Sequence, residues 1–321
     1  MRDSTKKALK ISIPIFLGIF LVWYLYHSTT TEQRKAIINY IANADIFWVS
    51  ISIIIGIASH ISRAIRWNYL LEPLGYKPKI LNNTLIILIA YLANLGIPRS
   101  GEILRATALS TYENVPFEKG MGTIVTERII DVIMLLLVIF VALLLQTELI
   151  LSFINESGLN IISGGILLIV GVIGLIISIR LIKKSKSAFA TKLRGFLNNL
   201  LEGILSVFKM KRKWAFIFHT LFIWLAYIFM FWVIKFTIIE TSELSFGAIL
   251  VAFVGGAFAM TTTNGGFLAF PIAVSKSLEL FNINPVEGNA LGWIMWISQT
   301  FMVIVFGAIS FVLLPLLNRN R

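Results

Sequence analysis

Charged side chains are rare in the apolar parts of this sequence, and eight of them occur in three short stretches. They are Arg63, Arg66, Arg99, Glu102, Arg105, Glu127, Arg128 and Asp131. Within each stretch most neighbours are three or four residues apart, a spacing that places side chains on one face of a helix. Five arginines against three carboxylates leave a formal excess of two positive charges.

An excess of guanidinium groups in an apolar setting suits an anionic ligand. Arginine offers phosphate paired N–H donors in a fixed planar geometry. A charged group inside a membrane costs about 2.5–3.5 kcal/mol on insertion scales, so it normally faces another charge or water. A helix that begins near Ser100 would add free backbone N–H groups. We therefore predict phosphate binding by Arg63, Arg66, Arg99, Arg105 and Arg128, with Glu102, Glu127 and Asp131 positioning the arginines or carrying protons.

Two simpler interpretations of these charges stay open. Arg63 and Arg66 could anchor the cytoplasmic end of a helix. Glu127, Arg128 and Asp131 could form an ion-pair network that only holds helices together.

A second polar stretch, residues 261–266, contains neutral hydrogen-bonding groups suited to a head group. From this stretch we assign Thr262, Asn264, Gly265 and Gly266 to the predicted site.

The chain has no cysteine, and its three histidines are scattered. We therefore predict neither a metal site nor a cofactor. A Walker A motif is also absent, so direct use of ATP is not expected.

The composition is that of a membrane protein, with 57% hydrophobic and only 14% charged residues. Several apolar runs approach or exceed the 18–20 residues that cross a bilayer. We predict an all-α polytopic protein, one membrane domain over residues 1–321. The six predicted spans are 8–26, 46–70, 121–146, 161–182, 214–239 and 288–316.

Lysine and arginine in the loops predict the orientation of the chain. The basic, amphipathic linker 183–213 and both termini are expected on the cytoplasmic side. We attribute the net charge of +12 to loop residues that orient the protein in the membrane. No nucleic acid partner is predicted. This topology requires that segments 80–109 and 245–282 are hairpins, each broken at a glycine-rich turn, that enter and leave on one side. Two ordinary pairs of spanning helices are the alternative.

The chain shows weak internal symmetry between residues 46–146 and 214–316. Each half has a span, a hairpin, a link with Pro-x-Glu and a second span, and the links contain Pro116 and Pro285. Because loops rich in lysine and arginine stay in the cytoplasm, the first hairpin is expected to open on the cytoplasmic side and the second on the outer side. That pattern indicates an inverted repeat, which many secondary transporters use to build a site from discontinuous helices.

Three motifs together resemble the lysylphosphatidylglycerol synthase transmembrane region, also called the flippase-like domain family. They are Arg63-x-x-Arg66-Trp67, the segment Asn94–Ala106 with Arg99, Glu102 and Arg105, and Glu127-Arg128-x-x-Asp131. The resemblance extends over about residues 10–316. The stretch around Gly265 departs from the family's proline-richer second signature. Because the chain ends soon after its last predicted span, we expect no aminoacyl-transferase activity.

The resemblance implies a flippase-like transporter of the prokaryotic cytoplasmic membrane. Its partner would be a membrane lipid, and it would move an anionic lipid or lipid-linked head group between leaflets. An intramembrane enzyme of lipid or glycan-lipid metabolism, with Glu127 or Asp131 as general base, is one alternative. An accessory subunit of a cell-envelope pathway is another.

Overall fold

The computed structural model describes residue 27, residues 29–97, 99–148, residue 191 and residues 210–263 and 265–319. These residues form nine α-helices and no strand, which confirms the predicted all-α class. The helices are α1 Thr31–Ala42, α2 Ile46–Leu71, α3 Ile80–Gly96, α4 Ser100–Glu113, α5 Phe117–Leu145, α6 Lys213–Ile234, α7 Phe246–Thr262, α8 Ala269–Glu279 and α9 Pro285–Leu317.

Four of the described helical segments are long and apolar enough to cross a membrane. They are Ile46–Leu74, Phe117–Leu145, Lys213–Thr237 and Pro285–Leu317, and each overlaps a predicted span. The predicted spans 8–26 and 161–182, and most of the linker 183–213, lie outside the described residues. The count of six spans therefore stays a prediction.

Both segments predicted as hairpins are pairs of shorter helices. The first consists of α3 and α4, and the chain reverses between them because Gly96 ends α3 and Arg99 adopts a left-handed backbone with φ 62°. The Gly101 N–H then donates to Asn94 Oδ1 over 2.8 Å. A side chain at Gly101 would overlap the Ala90 carbonyl oxygen, so the two helices are in close backbone contact.

The second hairpin consists of α7 and α8. Gly256 on α7 faces the Phe270 ring on α8, which leaves no room for a larger residue. The intervening turn contains three residues with positive φ, Gly265, Gly266 and Leu268. Glycine adopts this conformation without the steric cost that a Cβ imposes.

Helix α9 contacts both hairpins and shows that they open at opposite ends. Asn318, just after α9, exchanges amide hydrogen bonds of 3.0 and 3.1 Å with Asn82 at the start of α3. Ser275 near the end of α8 donates to the Pro285 carbonyl at the start of α9 over 3.0 Å. The first hairpin therefore opens at the C-terminal end of α9 and the second at its N-terminal end.

The turns of the two hairpins meet beside the central part of α9. Trp296 Nε1 donates to the Gly265 carbonyl over 2.8 Å. A Cβ built at Gly265 would lie 3.9 Å from Leu95 Cδ2 in the last turn of α3. Two helix breaks thus face each other.

The chain divides into two compact units, residues 1–124 with 214–321, and residues 125–213. All contacts given above belong to the first unit. Its apolar core draws on α1 and on α6 to α9, with Ile37, Phe231, Ile249, Val274 and Leu291 as buried members. In the second unit the structure describes mainly α5 from Val125 onward. The predicted repeat-like halves follow a different division of the chain and stay a prediction.

Candidate functional site

Three of the predicted site arginines are almost fully buried. Arg63 and Arg66 on α2 are 4% and 0% exposed, and Arg105 on α4 is 5% exposed. The buried face of α2 continues through Ser59 and Leu70 at helical spacing. The guanidinium groups therefore belong to the packed interior. Among the described residues, Lys235 is the only lysine that is buried to a similar degree.

Trp67 connects the arginines of the two helices. The guanidinium carbon of Arg105 lies 4.1 Å from the centroid of the Trp67 ring. The indole Nε1 of Trp67 donates to Thr123 Oγ1 over 2.9 Å. A cation held over a desolvated indole is stabilised by the ring's electron-rich face, so Trp67 holds α4 against α2 at the site.

Helix α6 supplies neutral partners on another side. Arg63 Nη2 donates to the Tyr227 hydroxyl over 3.1 Å. Arg66 Nη1 donates to Thr220 Oγ1 over 3.4 Å and lies 5.8 Å from the Phe216 ring centroid. These contacts place Arg63, Arg66 and Arg105 in one buried cluster lined by hydroxyl groups and aromatic rings.

Thr220 and Tyr227 are not among the site residues that the sequence motifs predict. They are seven residues apart, a spacing that places them on one face of α6. Hydroxyl groups aligned within an otherwise apolar span are a signal that could have found them. His219, the neighbour of Thr220, exchanges a 2.8 Å hydrogen bond with Ser62 on α2 and extends the polar contact between the two helices.

Two further arginines of the prediction have a different environment. Arg99 is exposed in the turn before α4, and Arg128 is exposed on α5. Glu102 and Asp131 are half-buried, whereas Glu127 is only 1% exposed. Glu127, Arg128 and Asp131 belong to the second unit. The structure thus gathers three of the five arginines, and the binding role of all five stays a prediction.

The hydrogen-bonding groups described at the predicted site residues of the second hairpin are mostly engaged within the protein. Thr262 Oγ1 donates to the Phe258 carbonyl over 2.8 Å, and Thr262 is exposed at the end of α7. The Gly265 carbonyl accepts the Trp296 indole N–H, and Gly266 is buried in the turn. Asn264 lies outside the described residues. Over the described ranges, no group of three or more histidine or carboxylate side chains could hold a metal ion.

The long apolar helices define an integral membrane protein, helical throughout its described residues, in which Arg63, Arg66 and Arg105 are buried. The chain belongs to the family described as lysylphosphatidylglycerol synthase TM region, whose model matches residues 11–307. This match confirms the resemblance carried by the three sequence motifs.

Two curated proteins show similarity to parts of the chain. Glycosyltransferase AglD of Haloferax volcanii is 29% identical over 123 residues, which are 38% of this chain and 20% of AglD. The UPF0104 membrane protein MJ1595 of Methanocaldococcus jannaschii is 30% identical over 98 residues, 30% of this chain and 29% of that protein. The similarity thus spans less than a third of the length of either relative. The comparison with solved structures finds no match.

Proposed function

We propose that this protein is a flippase-like transporter that moves an anionic lipid or lipid-linked head group between the two leaflets. The observation that most supports this proposal is the buried cluster of Arg63, Arg66 and Arg105. Its partners from α6 are a phenol and a threonine hydroxyl, which orient the guanidinium groups of Arg63 and Arg66. Guanidinium groups gathered in a low-dielectric interior favour an anion, and a phosphate group supplies both the charge and the acceptor geometry that arginine prefers.

The paired hairpins supply the second support. They open at opposite ends of α9, and their turns meet beside its centre. Discontinuous helices of opposite orientation are the device by which many secondary transporters form a site near the membrane centre and expose it alternately. We infer that the two halves of the chain are an inverted repeat and that both hairpins are re-entrant.

The orientation follows from the basic residues of the loops. With residues 183–213 in the cytoplasm, the C-terminal end of α9 and the opening of the first hairpin face the cytoplasm. Arg63 and Arg66 are in the last third of α2, towards this same end. The arginine cluster would therefore receive a phosphate-bearing head group from the inner leaflet.

The test is lipid translocation in proteoliposomes, with Arg63→Gln and Arg105→Gln compared with the parent. Loss of one charge-assisted hydrogen bond of about 1.5–3 kcal/mol should reduce the rate for a phosphate-bearing lipid by at least about tenfold. Arg34→Gln on α1 is the matched control and should keep the parent rate. Equal rates in all four proteins would overturn the assignment of the site.

A second candidate is an enzyme or accessory subunit of glycan-lipid metabolism. It is favoured by the similarity to a protein whose name includes glycosyltransferase. Incubation of the purified protein with membrane lipid extract distinguishes the two functions. A change in the mass of a lipid would support the enzyme, whereas unchanged lipids that have moved between leaflets would support the transporter.

A further inference from the structure

The exposed face of α4 is largely polar, although α4 belongs to a hairpin of the membrane domain. The exposed residues within α4 are Ile103, Thr107 and Thr111. They are four residues apart, so they form one stripe along the helix. Arg99, which lies in the turn just before α4, is exposed as well. Three of these four side chains are therefore polar.

Helix α9 shows what a lipid-facing surface of this protein contains. From Ile297 to Leu317, every exposed residue of α9 is apolar. Phe301 and Ile304, for example, are 59% and 47% exposed. The exposed face of α4 departs from this pattern.

The two threonines alone do not decide what this face contacts. Thr107 Oγ1 donates to the Ile103 carbonyl over 2.9 Å, and Thr111 Oγ1 donates to the Thr107 carbonyl over 3.0 Å. A threonine hydroxyl that bonds to the preceding turn of its own helix can face lipid. Arg99 decides the matter, because a bond to the backbone does not remove the charge of a guanidinium group.

Arg99 is far from the mouth of the first hairpin. At that mouth, Asn82 of α3 exchanges hydrogen bonds with Asn318 after α9. Gly96, where α3 ends, is 14 residues beyond Asn82. At about 1.5 Å for each residue, the tip of the hairpin is roughly 21 Å from the mouth. The hydrocarbon layer is about 30 Å thick, so the tip lies deep within it.

The charge and the backbone at this tip both require water. A guanidinium group that faces lipid at such depth is strongly unfavourable, and snorkelling relieves the cost only near the ends of a helix. A broken helix at membrane depth is tolerated only inside protein or beside a water-filled cavity. Since Arg99 is exposed, the cavity is the arrangement that satisfies both conditions.

We propose that the exposed face of α4 lines a water-filled groove, which runs from the mouth of the first hairpin to Arg99 near the membrane centre. Water fills the groove, and a polar head group enters it while the lipid tails stay in the hydrocarbon layer. The passage of a head group rests on the proposed function. The water follows from the charge of Arg99 and the polarity of the stripe.

Single introduced thiols test the groove, because the chain contains no cysteine. Ile103→Cys and Phe301→Cys are a matched pair, since both residues are apolar and both are 59% exposed. Membrane vesicles are treated with the anionic thiol reagent sulfonatoethyl methanethiosulfonate, which reacts with the thiolate form of cysteine. Because lipid excludes charged groups, Ile103→Cys should react about a hundredfold faster than Phe301→Cys.

The side from which the reagent acts is a second part of this test. Thr111→Cys in the last turn of α4 marks the mouth. Ile103→Cys and Thr111→Cys should react from the same side when right-side-out and inverted vesicles are compared. Equally slow reaction of the matched pair, or reaction of Ile103→Cys only from the other side, would overturn the groove. Melting temperatures show whether each variant is folded, and Thr107→Cys replaces Ile103→Cys if the latter does not fold.

The place of Arg99 at the inner end of the groove is tested by charge. In the Ile103→Cys protein, the rate with the sulfonate reagent is divided by the rate with its trimethylammonium analogue. Arg99→Gln should lower this ratio severalfold, because a positive charge one helical turn away attracts the anion and repels the cation. Arg34→Gln on α1 should leave the ratio unchanged. The same ratio with and without Arg99 would contradict its position in the groove.

Translocation in proteoliposomes separates the groove from the proposed function. If the parent is active and Ile103→Cys is unreactive, the groove is wrong and the proposed function stands. If the parent is inactive and Ile103→Cys reacts, the proposed function is wrong and the water-filled groove stands. With an active parent, the reagent attached at Thr107→Cys should stop translocation. Undiminished translocation after complete labelling there would overturn the passage of the head group through the groove.

Discussion

The guanidinium of Arg105 lies over the indole ring of Trp67, with 4.1 Å between the guanidinium carbon and the ring centroid. Trp67 is fully buried, and its Nε1 donates to Thr123 just before the second unit begins. One side chain therefore joins α2, α4 and the start of α5.

Replacement of Trp67 should separate its two roles. Trp67→Phe keeps an aromatic ring beneath Arg105 but loses the hydrogen bond to Thr123, so we expect a cost of about 1 kcal/mol. Trp67→Leu also removes the cation–π contact and leaves a cavity, and large-to-small changes of a core tryptophan cost about 3–5 kcal/mol. Thermal unfolding in detergent micelles should rank the proteins parent, Trp67→Phe, Trp67→Leu.

The matched control for this series is Trp214→Leu at the start of α6, because Trp214 is 74% exposed. It should melt within experimental error of the parent. Equal melting temperatures for Trp67→Phe and Trp67→Leu would contradict a structural role for the ring beneath Arg105.

The arginine positions illustrate what spacing alone can predict. Arg99, Glu102 and Arg105 are three residues apart and suggest a single stripe on one helix. In the structure the helix begins at Ser100, and Arg99 precedes it in a left-handed conformation. Arg99 therefore lies outside α4 and does not continue its stripe of side chains. It is exposed, whereas Arg105 is buried. Helical periodicity applies only inside a helix, and a turn residue beside proline ends it.

The hairpins were predictable for a different reason. Charge in the loops and glycine in the turns are local features, and they led to segments 80–109 and 245–282. Leu95 lies near the turn at Gly265, although the two residues are far apart in the chain. No spacing rule predicts such proximity, because the packing of α3 and α8 against α9 decides it.

Gly266, in the turn of the second hairpin, should tolerate substitution poorly. Gly266 has φ +70°, and an added Cβ there would overlap Met260 Sδ and lie 3.1 Å from Phe270 Cβ. A left-handed backbone costs a residue with a Cβ about 1–2 kcal/mol, and the clash adds to this. Gly266→Ala should therefore lower the melting temperature of the purified protein by several degrees.

Gly96 in the first hairpin is the control for this substitution. It has no positive φ, and nothing lies within 4 Å of the Cβ position. Gly96→Ala should be neutral or slightly stabilising, since alanine is the better helix former. If Gly96→Ala were as destabilising as Gly266→Ala, turn conformation would not be the cause.

The contact between the two hairpin turns can be captured by a cross-link, because the chain contains no cysteine. Leu95→Cys with Gly265→Cys introduces the only two thiols, at positions where a Cβ on residue 265 would lie 3.9 Å from the present Leu95 Cδ2. Mild oxidation or a short bifunctional maleimide should link them in high yield, as peptide mass spectrometry after digestion would show. Leu95→Cys with Gly75→Cys, whose second thiol lies in the turn after α2, should remain unlinked.

The same cross-linked protein also tests the mechanism. If a head group passes between the two helix breaks, they must separate during each cycle. Translocation in proteoliposomes should then stop when the two introduced thiols are oxidised to a disulfide, and it should return when that disulfide is reduced. Undiminished translocation by the fully linked protein would show that the head group takes another route.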